Sequence, residues 1–138
     1  MNLNSQKLVD RSLFILRLII AGSRDFDDYT LVRDSMNKIF ENRDTGNLSI
    51  ISGCCSGADN LGEQLAAVNG IPCIKFPADW KRYGKAAGPI RNEEMAQFAS
   101  EDNGMLLAFW DGVSKGTRNM IQTARKYALE VHVVRYQK

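Results

Sequence analysis

The sequence predicts an α/β protein, in which an open, mostly parallel sheet of five strands has helices on both faces. Strand-like and helix-like segments alternate along the chain, and the strand-like segments are almost continuously apolar, as in strands buried on both faces. The chain has 138 residues, 44% of them hydrophobic, which suits one globular domain. We therefore expect a single domain over residues 13–138, preceded by a polar N-terminal arm over residues 1–12.

The first half of the domain contains three strand-like and two helix-like segments. Leu13–Ala21 is an apolar run interrupted by Arg17, and it predicts the first strand. The second and third strands are predicted over Leu48–Ser52 and Pro72–Pro77. Asp28 is placed to cap the first helix. Helical spacing is seen in Val32, Ser35, Met36 and Ile39, and again in Ala58, Leu61, Leu65 and Val68.

The second half alternates in the same way. We expect residues 78–87 to form a polar and aromatic loop. Gly88-Pro89 is expected to open the third helix, because proline is tolerated in a first helical turn. The fourth and fifth strands are predicted over Met105–Trp110 and Glu130–Val134. Helical spacing is seen in Met95, Phe98 and Ala99, and again in Thr117, Ile121, Ala124 and Ala128.

Composition excludes several classes of protein. The net charge of +2 argues against a dedicated DNA-binding protein. Three cysteines without a CxxC pair and a lone histidine, His132, do not supply a zinc site. No apolar run is long enough to span a bilayer or resembles a signal peptide. We expect a cytoplasmic protein with reduced thiols, no metal ion, no cofactor and no membrane association.

Glycine-containing segments follow three of the predicted strands: Gly22–Asp25, Gly53–Asp59 and Asp111–Thr117. In a parallel sheet these junctions share one edge, and ligands bind there at the point where the strand order reverses. Glycine allows a ligand to approach the backbone closely, and the N–H groups at the start of each following helix attract anions. The junctions therefore predict a phosphate-binding site, although none matches a GxGxxG or P-loop pattern.

The acidic residues at these junctions have two interpretations each. Asp59 fits a capping box with Ser56, and it equally fits a partner for ribose hydroxyls. Asp25 and Asp111 either cap a helix or contact the ligand, and the sequence does not separate these roles.

The segment Trp80–Arg91 contains four cations, two aromatic residues and no acid. Cations bind phosphate and aromatic rings stack on a base, while the alternative is a solvated basic loop with Trp80 folded onto the core. Arg91 and Asn92 are expected in the first turn of the third helix. Because a guanidinium there opposes the helix dipole, its position favours an anion contact for Arg91.

Four motifs, in order, resemble the SLOG superfamily, and within it the branch related to YspA and YpsA. The motifs are AGSRDF at 21–26, SGCCSGAD at 52–59, AGPIRNEEM at 87–95 and FWDGVSKGT at 109–117. Together they cover residues 18 to about 134. The resemblance implies a Rossmann-like three-layer sandwich with strand order 3-2-1-4-5 that binds nucleotides or nucleotide-derived ligands.

The LOG branch of this superfamily removes the base from nucleoside monophosphates. Its pattern is matched at Arg91, at Met95 and at Gly116-Thr117, but Met120 stands where that branch has a glutamate. A glycosidic hydrolase needs carboxylates, so the resemblance leaves open whether this chain is an enzyme. The candidate catalytic residues are Arg91 for the phosphate, and Asp25, Asp111 and Glu93 as replacement carboxylates.

We therefore expect the protein to bind a nucleotide or nucleotide-derived ligand, as a sensor or as a ligand-processing domain. The alternatives are hydrolysis of a nucleotide N-glycosidic bond and binding of single-stranded nucleic acid, and the near-neutral charge argues against the latter. The resemblance also suggests a homo-oligomer. The predicted ligand-binding residues are Gly22, Ser23, Arg24, Gly53, Ser56, Gly57, Ala58, Asp59, Trp80, Arg91, Asn92, Asp111, Gly112, Ser114, Gly116 and Thr117.

Overall fold

Five parallel strands form one sheet between two layers of helices. The computed structural model describes residues 14–137, so the arm predicted over residues 1–12 lies outside the described part of the chain. The strands are β1 (Ile15–Gly22), β2 (Asn47–Ser52), β3 (Cys73–Lys75), β4 (Gly104–Trp110) and β5 (Glu130–Arg135). Their order in the sheet is β3-β2-β1-β4-β5, and each neighbouring pair is parallel. The predicted fold class and strand order are confirmed.

The helices are α1 (Tyr29–Phe40), α2 (Ala58–Val68), α3 (Trp80–Tyr83), α4 (Ala87–Ser100) and α5 (Lys115–Lys126). Residues 78–87 were expected to form a loop, and this expectation is wrong. They contain α3, a 3-10 turn over Gly84–Ala86 and the first residue of α4. Asp79 explains the short helix, because its carboxylate accepts the Arg82 N–H at 3.1 Å and so caps a single turn.

The two faces of the sheet bury separate apolar clusters. Leu18, Ile20 and Ile50 point to the face covered by α1 and α2. Ile19 and Ile51 point to the face covered by α4 and α5. Since successive side chains of a strand point to opposite faces, burial on both sides explains why the strand segments are continuously apolar.

Arg17 interrupts the apolar run of β1 without disturbing the strand. Its guanidinium lies 3.8 Å from the centre of the Phe98 ring and donates to the Phe98 carbonyl at 2.6 Å. Ion pairs with Glu101 and Asp102, at 3.3 and 3.6 Å, take up the remaining charge. The arginine therefore ties β1 to the end of α4.

The strand order reverses between β1 and β4. The chain passes from β1 to β2 and β3 on one side, and then crosses to β4 and β5 on the other. The segments that follow β1 and β4 lead to helices on opposite faces, so they separate and leave a crevice at the carboxyl edge of the sheet.

Gly57, which precedes α2, has a backbone conformation that only glycine adopts readily, with φ 79° and ψ −130°. A Cβ there would also collide with the backbone carbonyls of Ser23 and Arg24. We expect Gly57→Ala to lower the free energy of unfolding by about 3 kcal/mol, measured by urea denaturation.

The matched control is Gly116→Ala in the first turn of α5. A Cβ there has no neighbour within 4 Å, so we expect a change of at most about 1 kcal/mol, in the stabilising direction. Equal unfolding midpoints for the two variants would contradict the proposed strain at Gly57.

Candidate functional site

A cleft of about 640 Å³ opens at the carboxyl edge of the sheet, where the strand order reverses. Several predicted site residues line it: Gly22, Ser23, Arg24, Asp25, Asp59, Trp80, Arg91, Asn92, Asp111, Ser114, Gly116 and Thr117. Other predicted residues do not line it: Gly53, Ser56, Gly57, Ala58, Glu93 and Gly112. Cleft residues that the sequence analysis missed are Ala21, Cys55, Lys85, Gly88, Pro89, Met95, Lys115, Asn119 and Met120.

Ser23 lies directly after β1, and its backbone is fixed on two sides. Its N–H donates to the Phe109 carbonyl at 3.2 Å, and its own carbonyl accepts N–H groups from Phe26 and Ala58. The side chain is 3% exposed, and its hydroxyl has no hydrogen-bond partner within residues 14–137. A buried hydroxyl without a partner costs free energy, and in the wall of the cleft this hydroxyl is available to a ligand.

The start of α5 forms a second wall. Ser114 caps the helix by accepting the Thr117 N–H at 3.4 Å. The N–H groups of Lys115 and Gly116 have no partner inside a helix at this position, and the space above Gly116 is open. The Asp111 carboxylate accepts the N–H groups of Val113 and Ser114, both at 2.8 Å, and these bonds hold the pKa of Asp111 below its usual range.

Arg91 reaches the cleft from α4 and is 8% exposed. Its guanidinium donates to the Gly53 carbonyl at the end of β2 and to the Asn92 side chain at 3.0 Å. Because α4 begins at Ala87, Arg91 is in the second turn, where the helix dipole is weaker. The prediction that Arg91 lies in the first turn is therefore wrong. Its buried guanidinium is satisfied by the Gly53 carbonyl and does not require an anion. Within the described chain Nη2 has no partner, so this nitrogen remains open to a ligand.

Asn92 joins the two helices that flank this side of the cleft. Its amide donates to Asn119 on α5 at 2.9 Å, while its oxygen accepts from Arg91. The hydrogen bonds from Arg91 to Asn92 and from Asn92 to Asn119 fix the guanidinium relative to the start of α5. Asn119 was missed because neither its spacing nor its type distinguishes it from a surface residue of the helix.

Asp59 is 5% exposed, and it does not form the capping box that the sequence suggested. The residue before α2 is Gly57, without a side-chain cap, and the Ser56 hydroxyl donates to the Arg24 carbonyl at 3.2 Å. Oδ2 of Asp59 instead accepts the Cys55 N–H at 3.2 Å, which braces the loop after β2. Burial raises the pKa of Asp59 to about 6, against the opposing effects of the Cys55 N–H and the Arg91 charge.

The other two candidate carboxylates differ in their surroundings. Asp25 lines the cleft, and the Tyr136 hydroxyl donates to it at 3.4 Å. Glu93 faces away from the cleft and accepts from Lys126 and Tyr127, both at 2.7 Å. These two bonds hold the pKa of Glu93 below its usual range. The helical spacing alone did not reveal which side of α4 carries this side chain.

Trp80 lies at the mouth of the cleft and not on the core, with 47% of its surface exposed. The Arg24 guanidinium lies 5.6 Å from the centre of its ring, and the ring edge is 3.4 Å from the position of a Cβ on Gly88. The exposed ring and the adjacent cations Arg24 and Lys85 make the mouth of the cleft both aromatic and basic.

Residues 14–137 contain no group of three or more histidine, cysteine or acidic side chains that is arranged to hold a metal ion. His132, on β5, instead contacts Glu130 at 2.6 Å. No helix in this part of the chain has the length and apolarity needed to cross a membrane.

Comparisons with known proteins agree with this architecture. The model of the YspA, cpYpsA-related SLOG family matches residues 16–83. The gene 61 protein of Mycobacterium phage D29 is 33% identical over 121 residues, covering 83% of this chain and 93% of that protein.

The X-ray structure of DNA processing protein A from Streptococcus pneumoniae has a similar fold, with a TM-score of 0.66 and 18% sequence identity. The match covers 93% of this chain but 53% of that one, so the chain spans about half the length of that protein. At this identity the likeness concerns the fold alone.

Asp59 makes stability depend on pH. Its pKa is about 6 in the folded chain against 3.8 as the ordinary value, so ionisation above pH 6 opposes folding. We expect Asp59→Asn to stabilise the protein by about 2–3 kcal/mol at pH 7.5, and this gain to shrink toward zero as the pH falls to 4. Urea denaturation at both pH values measures it.

Asp111→Asn is the matched control with the opposite sign. Because the pKa of Asp111 is lowered, its ionised form stabilises the fold above its ordinary pKa, and this contribution is lost as the pH falls. The variant should therefore be less stable than wild type at pH 7.5, with a smaller difference at low pH. A pH-independent gain in Asp59→Asn would contradict the assignment of the raised pKa.

Proposed function

Since the chain belongs to the YspA, cpYpsA-related SLOG family, we propose that its cleft binds a phosphate-bearing, nucleotide-type small molecule. The phosphate lies at the start of α5, against the Ser23 hydroxyl, and the base lies toward Trp80. The four SLOG-like motifs all contribute residues to this one cleft, which supports a shared ligand.

The observation that carries the proposal is the buried, unpartnered hydroxyl of Ser23. An unpaired buried polar group costs about 1–3 kcal/mol, which a hydrogen bond to a charged phosphate oxygen would reverse. The free N–H groups at the start of α5, a helix of twelve residues, supply further donors for the same oxygens.

The charges around the cleft also favour an anion. Four cations line it: Arg24, Lys85, Arg91 and Lys115. Three carboxyl groups line it as well, those of Asp25, Asp59 and Asp111, one fewer than the cations. The cleft therefore keeps a small excess of positive charge.

Binding is favoured over hydrolysis of the ligand. Met120, which stands where the LOG branch has a glutamate, lines the cleft and is 2% exposed, so an apolar thioether takes the place of that carboxylate. Of the replacement carboxylates, Glu93 is engaged outside the cleft, Asp111 accepts two backbone N–H groups, and Asp25 accepts from the Tyr136 hydroxyl. We therefore propose a sensor or carrier of the nucleotide, and not a glycosidase.

A second candidate function is binding of single-stranded nucleic acid along α3. The observation that favours it is the exposure of Trp80 and Tyr83 among Lys81, Arg82 and Lys85. Such a surface combines stacking platforms with phosphate partners.

The first test is a thermal-shift panel of nucleoside monophosphates, ADP-ribose, NAD and cyclic nucleotides, followed by calorimetry on any compound that shifts the transition. A ligand at one hundred times its dissociation constant adds about 2.7 kcal/mol of stability. We expect Ser23→Ala to bind roughly tenfold to a hundredfold more weakly, yet to be more stable than wild type without ligand by about 1 kcal/mol.

Ser52→Ala is the matched control. Ser52 is also a buried serine at the end of a strand, but its hydroxyl donates to Glu63 at 2.6 Å and accepts the Cys54 N–H at 3.0 Å. This variant should lose stability and keep its affinity. Equal affinity of Ser23→Ala and wild type, or no binding by any compound at millimolar concentration, would overturn the proposal, while chromatography showing cleavage of a bound nucleotide would replace binding with hydrolysis.

The second candidate is tested with a fluorescent single-stranded oligonucleotide. If α3 binds nucleic acid, affinity falls steeply with salt and drops further in the Lys81→Ala, Arg82→Ala double variant. Since the net charge is only +2, we expect no binding tighter than the nonspecific range, roughly 10⁻⁴–10⁻⁶ M, at physiological salt.

A further inference from the structure

We propose that Asp59 binds a ribose hydroxyl of the ligand, and that the cleft thereby selects ribonucleotides over deoxy analogues that lack this hydroxyl. This inference rests on the proposed nucleotide function and adds the sugar to it.

The geometry of the Asp59 carboxylate is the first support. Oδ2 is occupied by the Cys55 N–H, whereas Oδ1 accepts no hydrogen bond from the described part of the chain. The side chain is 5% exposed and lines the cleft. One oxygen of this mostly buried carboxyl group therefore has no donor from the described protein, and a ligand hydroxyl can supply one.

The surrounding charges decide what kind of donor fits. Asp59 forms no ion pair within 4 Å in residues 14–137. Arg91 is nevertheless close, because its Nη1 and Oδ2 of Asp59 lie 2.8 and 2.9 Å from one point, the position of a Cβ on Gly53. Arg24 also acts on Asp59 electrostatically. A second cation would be repelled by these guanidinium groups, so a neutral donor such as a hydroxyl is favoured.

The position of Asp59 along the cleft distinguishes a sugar hydroxyl from a base. The preceding residue, Ala58, donates its N–H to the carbonyl of Ser23, the residue proposed to hold the phosphate, at 3.4 Å, so Asp59 lies near it. Trp80, the proposed stacking surface, is at the exposed mouth instead. In a nucleotide the sugar lies between the phosphate and the base, so a buried carboxyl group near Ser23, inside the mouth of the cleft, suits the sugar.

Asparagine cannot replace the aspartate in this role. One side-chain oxygen must accept the Cys55 N–H, and in Asp59→Asn the carbonyl oxygen does so. The amide nitrogen is then left toward the cleft, where it can only donate to the hydroxyl oxygen, so the stronger bond from the hydroxyl to a charged acceptor is lost. Because this variant is expected to be more stable than wild type at neutral pH, a loss of binding would not reflect unfolding.

The test compares one ribonucleoside monophosphate, its 2′-deoxy and 3′-deoxy analogues and the parent nucleoside, by calorimetry at pH 7.5. Wild type should bind the ribonucleotide at least tenfold more tightly than one of the two deoxy analogues. Asp59→Asn should reduce this preference to less than twofold, mainly by weakening the ribonucleotide. Glu63→Gln is the control, since Glu63 is one turn further along α2, outside the cleft, and should leave the preference unchanged.

The outcomes separate the two proposals. If no compound binds wild type, the nucleotide function fails and the sugar contact fails with it. If the monophosphates bind and the nucleoside does not, but ribose and deoxyribose forms bind equally, the phosphate site stands and the role of Asp59 is overturned. A preference for ribose that persists in Asp59→Asn also overturns it.

Discussion

The hydrogen bond from the Arg91 guanidinium to the Gly53 carbonyl fastens one wall of the cleft to the sheet. Gly53 is the residue that permits it, because a Cβ there would lie within 3.0 Å of both Arg91 and Asp59. The same guanidinium holds Asn92, and through it Asn119 on the neighbouring helix. A single cation thus sets the positions of the loop after β2, of α4 and of α5. Its burial is tolerated because Nη1 and Nε find oxygen acceptors in the interior.

The topology explains why polar groups gather at this place. Between β1 and β4 the following segments turn to opposite faces, so side chains at this edge are not covered by a helix. Ser23 and Asp59 are nevertheless mostly buried. The buried Ser23 hydroxyl has no partner in the described chain, and Asp59 accepts only the Cys55 N–H from it. Proteins keep such destabilising groups at functional sites, where a ligand completes the hydrogen bonding.

The parts of the fold that the sequence predicted depend on local patterns. Apolar strands such as β1 and β4 were recognised because burial on both faces leaves no polar alternation. The part of the site that could not be predicted depends on tertiary partners. The sequence predicted an anion contact for Arg91, but its guanidinium donates to the Gly53 carbonyl, which is distant along the chain. Glu93 was a candidate catalytic carboxylate, but Lys126 and Tyr127 donate to it outside the cleft. Residues 78–87 were predicted to form a loop because a helix of one turn is too short for periodicity to reveal.

The unsatisfied groups also bear on the choice between a sensor and an enzyme. A glycosidase of the LOG type uses a glutamate at the position of Met120, and there the cleft presents an apolar thioether instead. A sensor requires that ligand binding change the free energy of the protein. The unpartnered Ser23 hydroxyl and the Asp59 carboxyl group, whose burial raises its pKa to about 6, allow such a change. A ligand in the cleft would supply hydrogen-bond partners to both groups, so that its binding would also raise the free energy of unfolding. These features support the proposed binding of a nucleotide over hydrolysis of its glycosidic bond.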